Sequence, residues 1–200
     1  MTLEEIQEAI KKSHVVISNY RGKGVSRSYG SGSVIDMDED FIYIITNEHI
    51  TSRMERMAKR YGYYVRFSSD YEELNNLLET YAVKAWYVGS TYTPDYAVLK
   101  CDISSIPYED RQKFKSIPKI EEIELTQGMP VYMYHMTKDQ HENLKTGLLT
   151  SIEKREWKNG LMSYYTNDIS VNGDSGSLVF TQKGQCLGML VGSRHNNSRV

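Results

Sequence analysis

Cysteine is nearly absent from this chain: Cys101 and Cys186 are the only two in 200 residues. Two thiols cannot make the disulfide framework of a small secreted scaffold, and their separation is not a metal-ligand spacing. Long hydrophobic runs are missing as well. The longest apolar stretches, such as "FIYII" and "LGMLV", are strand-sized, far short of the ~20 residues that cross a bilayer. No sign of charge dominates. The net charge is −2 with acids and bases interspersed, which removes the electrostatic case for a nucleic-acid surface. The opening "MTLEEIQEAIKKSH" puts acids first and lysines later, with Leu3, Ile6 and Ile10 on one helical face. It lacks the basic start and apolar centre of a secretory signal. These absences predict a soluble protein of a reducing, cytoplasmic compartment that contacts neither membrane nor nucleic acid.

Short β-strands are what the chain does have. At 40% apolar residues, it can bury a core of its own as one sizeable domain or two small ones. Runs rich in Val, Ile and Tyr, bounded by turn residues or charges, predict strands at 14–20, 30–37, 41–47, 63–68, 82–89 and 95–101. A second series is predicted at 130–136, 145–156, 161–167, 176–182 and 185–192. Between them lies "DISSIPYEDRQKFKSIPKIEEIELTQG", with two prolines and many charges, which reads as a connector. Helical signals are few: the N-terminal segment, 49–62 and 69–81. The pattern predicts an all-β protein with an N-terminal helix (1–13), a first β-barrel (14–102), a connector (103–128) and a second β-barrel (129–200).

Three local patterns carry chemistry. "VNGDSGSLVF" places Asp174 and Ser175 between Gly173 and Gly176, just before an apolar run. Flanking glycines let the backbone approach a ligand closely, as an oxyanion hole built from Gly173, Asp174 and Ser175 requires, with the Gly173 and Ser175 N–H groups aimed at one point. A serine hydroxyl is a poor nucleophile until a base takes its proton, and the base works best when a third group fixes its tautomer. His49 in "IITNEHITSR" follows an apolar strand, and Asp95 in "TPDYAVLKCD" opens one. Alone, each reads as an ordinary structural or turn residue. Together with Ser175 they supply base, orienter and nucleophile.

On these residues the chain resembles the chymotrypsin-fold, trypsin-like serine proteases, and its HtrA-type bacterial members more than the secreted digestive ones. The matching pieces are "GSGSVIDMDEDFIYIITNEHI", "DYAVLKCD", "NGDSGSLVF" and "GQCLGMLVGS", in the order His, Asp, Ser. The resemblance implies two antiparallel six-stranded barrels, with His49 and Asp95 from the first and Ser175 from the second. It implies a protein or peptide substrate, an acyl-enzyme intermediate and no cofactor or metal. Ile50 stands where secreted relatives often carry a disulfide cysteine. Ile169 falls at the base of the primary specificity pocket, where trypsins carry Asp, with Ser170, Val171 and Asn172 continuing that wall and Val191, Gly192 and Ser193 facing it. A guanidinium group would find no carboxylate there unless Asp168 or another acid swings in, so a small or medium apolar side chain is expected. In the secreted relatives the Asp before the nucleophile is neutralised by a newly cut N-terminus. Here Asp174 must find another donor or stay in water, which predicts an enzyme not switched on by N-terminal cleavage.

The chain stops at "SRHNNSRV", soon after the pocket-wall strand, where the family usually adds a final strand. A second barrel incomplete at the C-terminus, and a protease module of a larger or partner-regulated protein, are therefore expected. The alternative is a catalytically silent protease-fold binding module. A metal hydrolase is disfavoured, because His14, His49, His135, His141 and His195 show no HExxH-type spacing. "KKSH" and "EKREWK" read as solvated charge clusters, and the pair His135 and His141 needs no function.

Overall fold

In the computed structural model, the described residues are 2–19, 29–67, 83–92, 94–112, 114–117, 123–134, 144–156, 162–167, 173–194 and 197–200. Helix α1 (Leu3–Ser13) begins with a capping box. The Glu5 amide donates to Thr2 Oγ1 at 3.2 Å and the Thr2 amide to Glu5 Oε2 at 2.8 Å, satisfying two amides that a helix start leaves open. Glu4 and Glu5 in the first turn and Lys11 and Lys12 in the last suit the helix dipole. Ile6 and Ile10, four residues apart, bury its inner face.

The first half is a closed barrel in the order β1-β2-β3-β6-β5-β4. Its strands are β1 (His14–Ser18), β2 (Tyr29–Met37), β3 (Phe41–Thr46), β4 (Tyr63–Phe67), β5 (Val83–Thr91) and β6 (Tyr96–Asp102). Strand β3 alternates between half-buried and buried residues, with Ile42 and Ile44 inward. The β2–β3 turn is set by Asp38, whose carboxylate accepts from the amides of Asp40 (2.9 Å) and Phe41 (2.8 Å). Helix α2 (Glu48–Tyr61) leaves the end of β3 and drives Ile50 and Met54 into the barrel core. The helix expected at 69–81 lies outside the described residues.

The second half differs from the six-stranded barrel expected. It is a seven-stranded sheet, β11-β10-β7-β8-β9-β13-β12. The strands are β7 (Pro130–Tyr134), β8 (Leu144–Glu156), β9 (Met162–Asn167), β10 (Leu178–Thr181), β11 (Cys186–Met189), β12 (Gly192–Arg194) and β13 (Asn197–Arg199). One predicted strand, 185–192, is really two. It breaks at Leu190–Val191, and β11 and β12 lie at opposite edges of the sheet. A chain that crosses from one edge to the other in two residues requires the sheet to curl into a half-barrel, closed by chain rather than by a ladder among the described residues. Strand β13, absent from the sequence reading, pairs with both β9 and β12.

Period-two alternation makes β7 and β10 two-sided. Val131, Met133 and Val179 join Leu149, Leu190 and Val200 in the curled interior. Tyr132, Tyr134, Leu178 and Phe180 face the other way, under Ile6 and Ile10 of α1, with Ile45 of β3 packed against the same cluster. Helix α1, first in the chain, thus covers a face of the second half while also touching β2 of the barrel it leads into. The connector contributes one short helix, α3 (Tyr108–Arg111), and Arg111 pins it to the carbonyls of Glu39, Ser104 and Ile106. Among the described residues no helix is long and apolar enough to cross a membrane.

Phe67 is 1% exposed and stacks on Phe114 with centroids 4.2 Å apart, joining barrel and connector. Phe67→Ala is expected to cost about 3–5 kcal/mol, the usual range for a buried phenylalanine, as read by urea unfolding.

Candidate active site

Two residues, Asn47 and Glu48, separate the end of β3 from His49, and the barrel fixes the approach. Thr46 pairs with Ala97 across the β3–β6 ladder, so the strands deliver His49 and Asp95 to the same barrel end. Asn47 adds a tie, its Nδ2 donating to the Asp95 carbonyl at 3.0 Å. Ile50, one residue on from His49, is 2% exposed and holds the start of α2 against the core.

The Asp95 carboxylate uses both oxygens on one residue. Oδ1 accepts from the His49 amide at 3.0 Å, and Oδ2 lies 2.6 Å from His49 Nδ1. The side chains are 30% and 14% exposed for His49 and Asp95, so the pair opens to solvent on the histidine side. Burial pushes the Asp95 carboxyl upward; the hydrogen bonds from the His49 side chain and backbone, with the nearby imidazole charge, outweigh this and hold it below the usual carboxylate range. An ionised Asp95 accepts a hydrogen bond from Nδ1–H, which leaves the imidazole lone pair on Nε2. Glu48, next in sequence, is 7% exposed. Burial first, and then the Asp95 charge, raise its carboxyl, against a hydrogen bond from Ser52.

Ser175 sits in a turn held by backbone bonds from within and by side chains from the first barrel. The Ser177 amide donates to the Asp174 carbonyl (2.9 Å), and the Gly176 amide to that of Leu190 (3.0 Å). These are not the amides an oxyanion hole needs. Gly173 (φ 104°) and Gly176 (φ 95°) occupy the left-handed region that other residues avoid. From β2, the Ser31 amide donates to the Ser175 carbonyl at 2.9 Å and its hydroxyl to the Gly173 carbonyl at 2.8 Å. Thr46 Oγ1 braces this contact by donating to the Ser31 carbonyl at 2.6 Å. A Cβ on Gly176 would stand 2.0 Å from that carbonyl and 2.6 Å from Thr46 Oγ1, so no side chain fits there.

Asp174 is fully buried, at 0% exposure. Of the two environments open to it from sequence, water is thereby excluded. Ile169, Ser170, Val171 and Asn172 lie outside the described residues, as does Asp168. On the facing side, the Val191 amide donates to the Arg199 carbonyl at 2.8 Å, and Gly192 and Ser193 begin β12. A methyl group on Gly192 would meet nothing within 4 Å. Both cysteines are buried, and burial raises both thiols, Cys186 to about 11. They are inert neighbours, not nucleophiles.

Ser31, Thr46 and Asn47 were not singled out from the sequence, because their contacts are made across strands or between halves. "KKSH" is not the solvated cluster expected: Ser13 and His14 are 0% and 2% exposed. The helix end they occupy faces the second half and not solvent.

The His49–Asp95 pair lies at one end of a closed β-barrel, and comparison with known proteins gives the family. The trypsin-like peptidase domain family matches residues 30–189, and the chain belongs to that family. Its fold is shared with solved structures. "Crystal structure of Deg5" aligns with TM-score 0.69 at 19% identity, covering 98% of this chain and 86% of that one. The Rv3671c protease of M. tuberculosis in its active form aligns at TM-score 0.65 and 18% identity, with coverages of 98% and 78%. An inactive form of the Rv3671c protease gives TM-score 0.62 at 17% identity, covering 98% and 86%. No curated protein matches the chain.

The lowered Asp95 carboxyl makes a pH prediction. A folded-state value below the unfolded one, ~3.9, stabilises the fold above that pH and is lost as pH falls through the folded value. The stability difference between the native chain and Asp95→Asn should shrink as pH falls from about 5 to below about 4. Urea unfolding across that range checks it; a difference that grows toward acid would contradict the assignment.

Proposed function

We propose that this protein is a serine endopeptidase that hydrolyses protein or peptide bonds through an acyl-enzyme intermediate, with Ser175 as nucleophile, His49 as base and Asp95 as the orienting acid. The observation that carries the reading is the 2.6 Å contact between His49 Nδ1 and Asp95 Oδ2, since it fixes the tautomer with the proton on Nδ1 and leaves the lone pair of Nε2 free to take a proton. In the proposed reaction, Nε2 takes the Ser175 proton as Oγ attacks the substrate carbonyl. The imidazolium then protonates the leaving amine, and water repeats the sequence on the ester. The amides of Gly173 and Ser175 stabilise the oxyanion. Family membership and the seating of the Ser175 turn on the strand pair that leads to His49 support this reading. Full burial of Asp174 supports a turn that forms without N-terminal cleavage.

A fluorophosphonate probe should label the native chain once, at Ser175, and should not label Ser175→Ala. Asp95→Asn should lower kcat/KM by about 10⁴-fold through loss of the correct tautomer. A native chain that folds yet takes no label points instead to a catalytically silent binding module. Activity that appears only after removal of residues 1–13 would contradict the uncleaved turn.

The resemblance implies Ile169 rather than an acid at the pocket base, which favours a small or medium apolar residue before the scissile bond, and nothing crowds Gly192 on the facing side. Peptide-library cleavage should therefore avoid Arg and Lys, and benzamidine should inhibit poorly. A profile dominated by basic residues would assign the pocket charge to another acid, Asp168 first.

A further inference from the structure

His14 is the junction of the molecule's two halves. As the C-cap of α1, its amide donates to the carbonyls of Ile10 and Lys11. As the first residue of β1, it pairs with Ser33 of β2. Its backbone therefore belongs to the first barrel, while its side chain points into the second half. The imidazole lies 5.3 Å from the Tyr134 ring on β7, and its Nε2 is 3.1 Å from Ser177 Oγ.

Ser177 is two residues past the nucleophile and 0% exposed. Its backbone is already committed, the amide to Asp174 and the carbonyl to the Leu190 amide at 2.8 Å. A group that holds the Ser177 side chain therefore holds the whole 174–177 turn. Helix α1 keeps the imidazole in place, because Ile6 and Ile10 seat it on Tyr132, Tyr134, Leu178 and Phe180. Turn, strut and helix form one buried unit at the interface of the halves.

We propose that His14 is a positioning residue for catalysis. Through Ser177 it fixes the turn that presents Ser175 and the oxyanion amides, so that the docked α1 is a working part of the active site. The proposal rests on the serine endopeptidase reading and adds to it the element that holds the turn in register. It acts on the reacting atoms only through the backbone, so its loss should lower kcat and leave KM nearly unchanged.

The test compares the native chain with His14→Leu, His14→Gln, Ser177→Ala and the His14→Leu/Ser177→Ala pair. Leucine keeps volume without a hydrogen bond, and glutamine returns a polar atom near the position of Nε2. Fluorophosphonate labelling rate, kcat, KM and thermal unfolding are measured for each. His14→Leu and Ser177→Ala should each slow acylation about 10- to 100-fold, less than outright removal of an oxyanion donor. The pair should be no slower than the worse single, since both remove one interaction, and His14→Gln should recover part of the rate. Folded single variants with native kcat, or losses that multiply in the pair, would overturn the proposal. If His14→Leu does not fold, Ser177→Ala decides by the same kcat criterion, because it deletes only a hydroxyl. Amide hydrogen exchange at Gly176 and Ser177 provides a readout independent of catalysis. Faster exchange in Ser177→Ala upholds the strut even in a chain that takes no label, and unchanged exchange overturns it.

Discussion

Strand β2 is pressed from both faces, and the site depends on that. Its "GSGS" run alternates two kinds of surface. On the glycine face, a Cβ at Gly30 would stand 2.8 Å from Ile50 and one at Gly32 2.8 Å from the Ile45 carbonyl, so only hydrogen allows the start of α2 to come this close. On the serine face, Ser31 holds the carbonyls of Gly173 and Ser175. One stretch of backbone thus locates the helix that carries His49 and the turn that carries Ser175. Gly176 completes the contact from the other half, having no room for a side chain against the Ser31 carbonyl.

The two halves are held in register by packing, without covalent links among the described residues. The buried cluster under α1 draws on the helix, on β7 and β10 of the second half, and on Ile45 of the first barrel. Apolar burial supplies cohesion but no direction. Direction comes from buried polar contacts, Ser31 to the Ser175 turn, Thr46 to Ser31 and His14 to Ser177, each of which is worth more in a dry interface than in water. The half-barrel form of the second sheet follows from the break at Leu190–Val191, whose neighbours Leu190 and Val200 fill the curled interior.

The electrostatics of the histidine–aspartate pair follow from position. Asp95 receives two hydrogen bonds from a single residue and stays ionised despite its burial. Glu48, adjacent in sequence but bonded to Ser52, is pushed the other way. The two carboxyls belong to the same small region, and their surroundings separate their proton affinities. That separation is how one site can keep one acid charged beside another that ionises less readily.

The sequence by itself determined most of the elements. Short Val-, Ile- and Tyr-rich runs marked eleven of the thirteen strands among the described residues, because a strand half-buried on a pleated surface writes a local pattern. His49, Asp95 and the glycine-flanked Ser175 were legible as candidates because a base, an acid and a nucleophile are residue types that local sequence at strand ends and turns displays. Strand β13 was not legible: Asn197–Arg199 has no apolar alternation and is a strand only because β9 and β12 offer it edges. The break that splits β11 from β12 was hidden inside a continuous apolar run. Ser31, Thr46, Ser177 and His14 were likewise invisible as site residues. A serine, a threonine or a histidine in a charged segment has the same local signature whether it is solvated or buried. Only the packing of α1 across the second half and of β2 against the Ser175 turn removed water from around them, and with water gone their hydrogen bonds became structural.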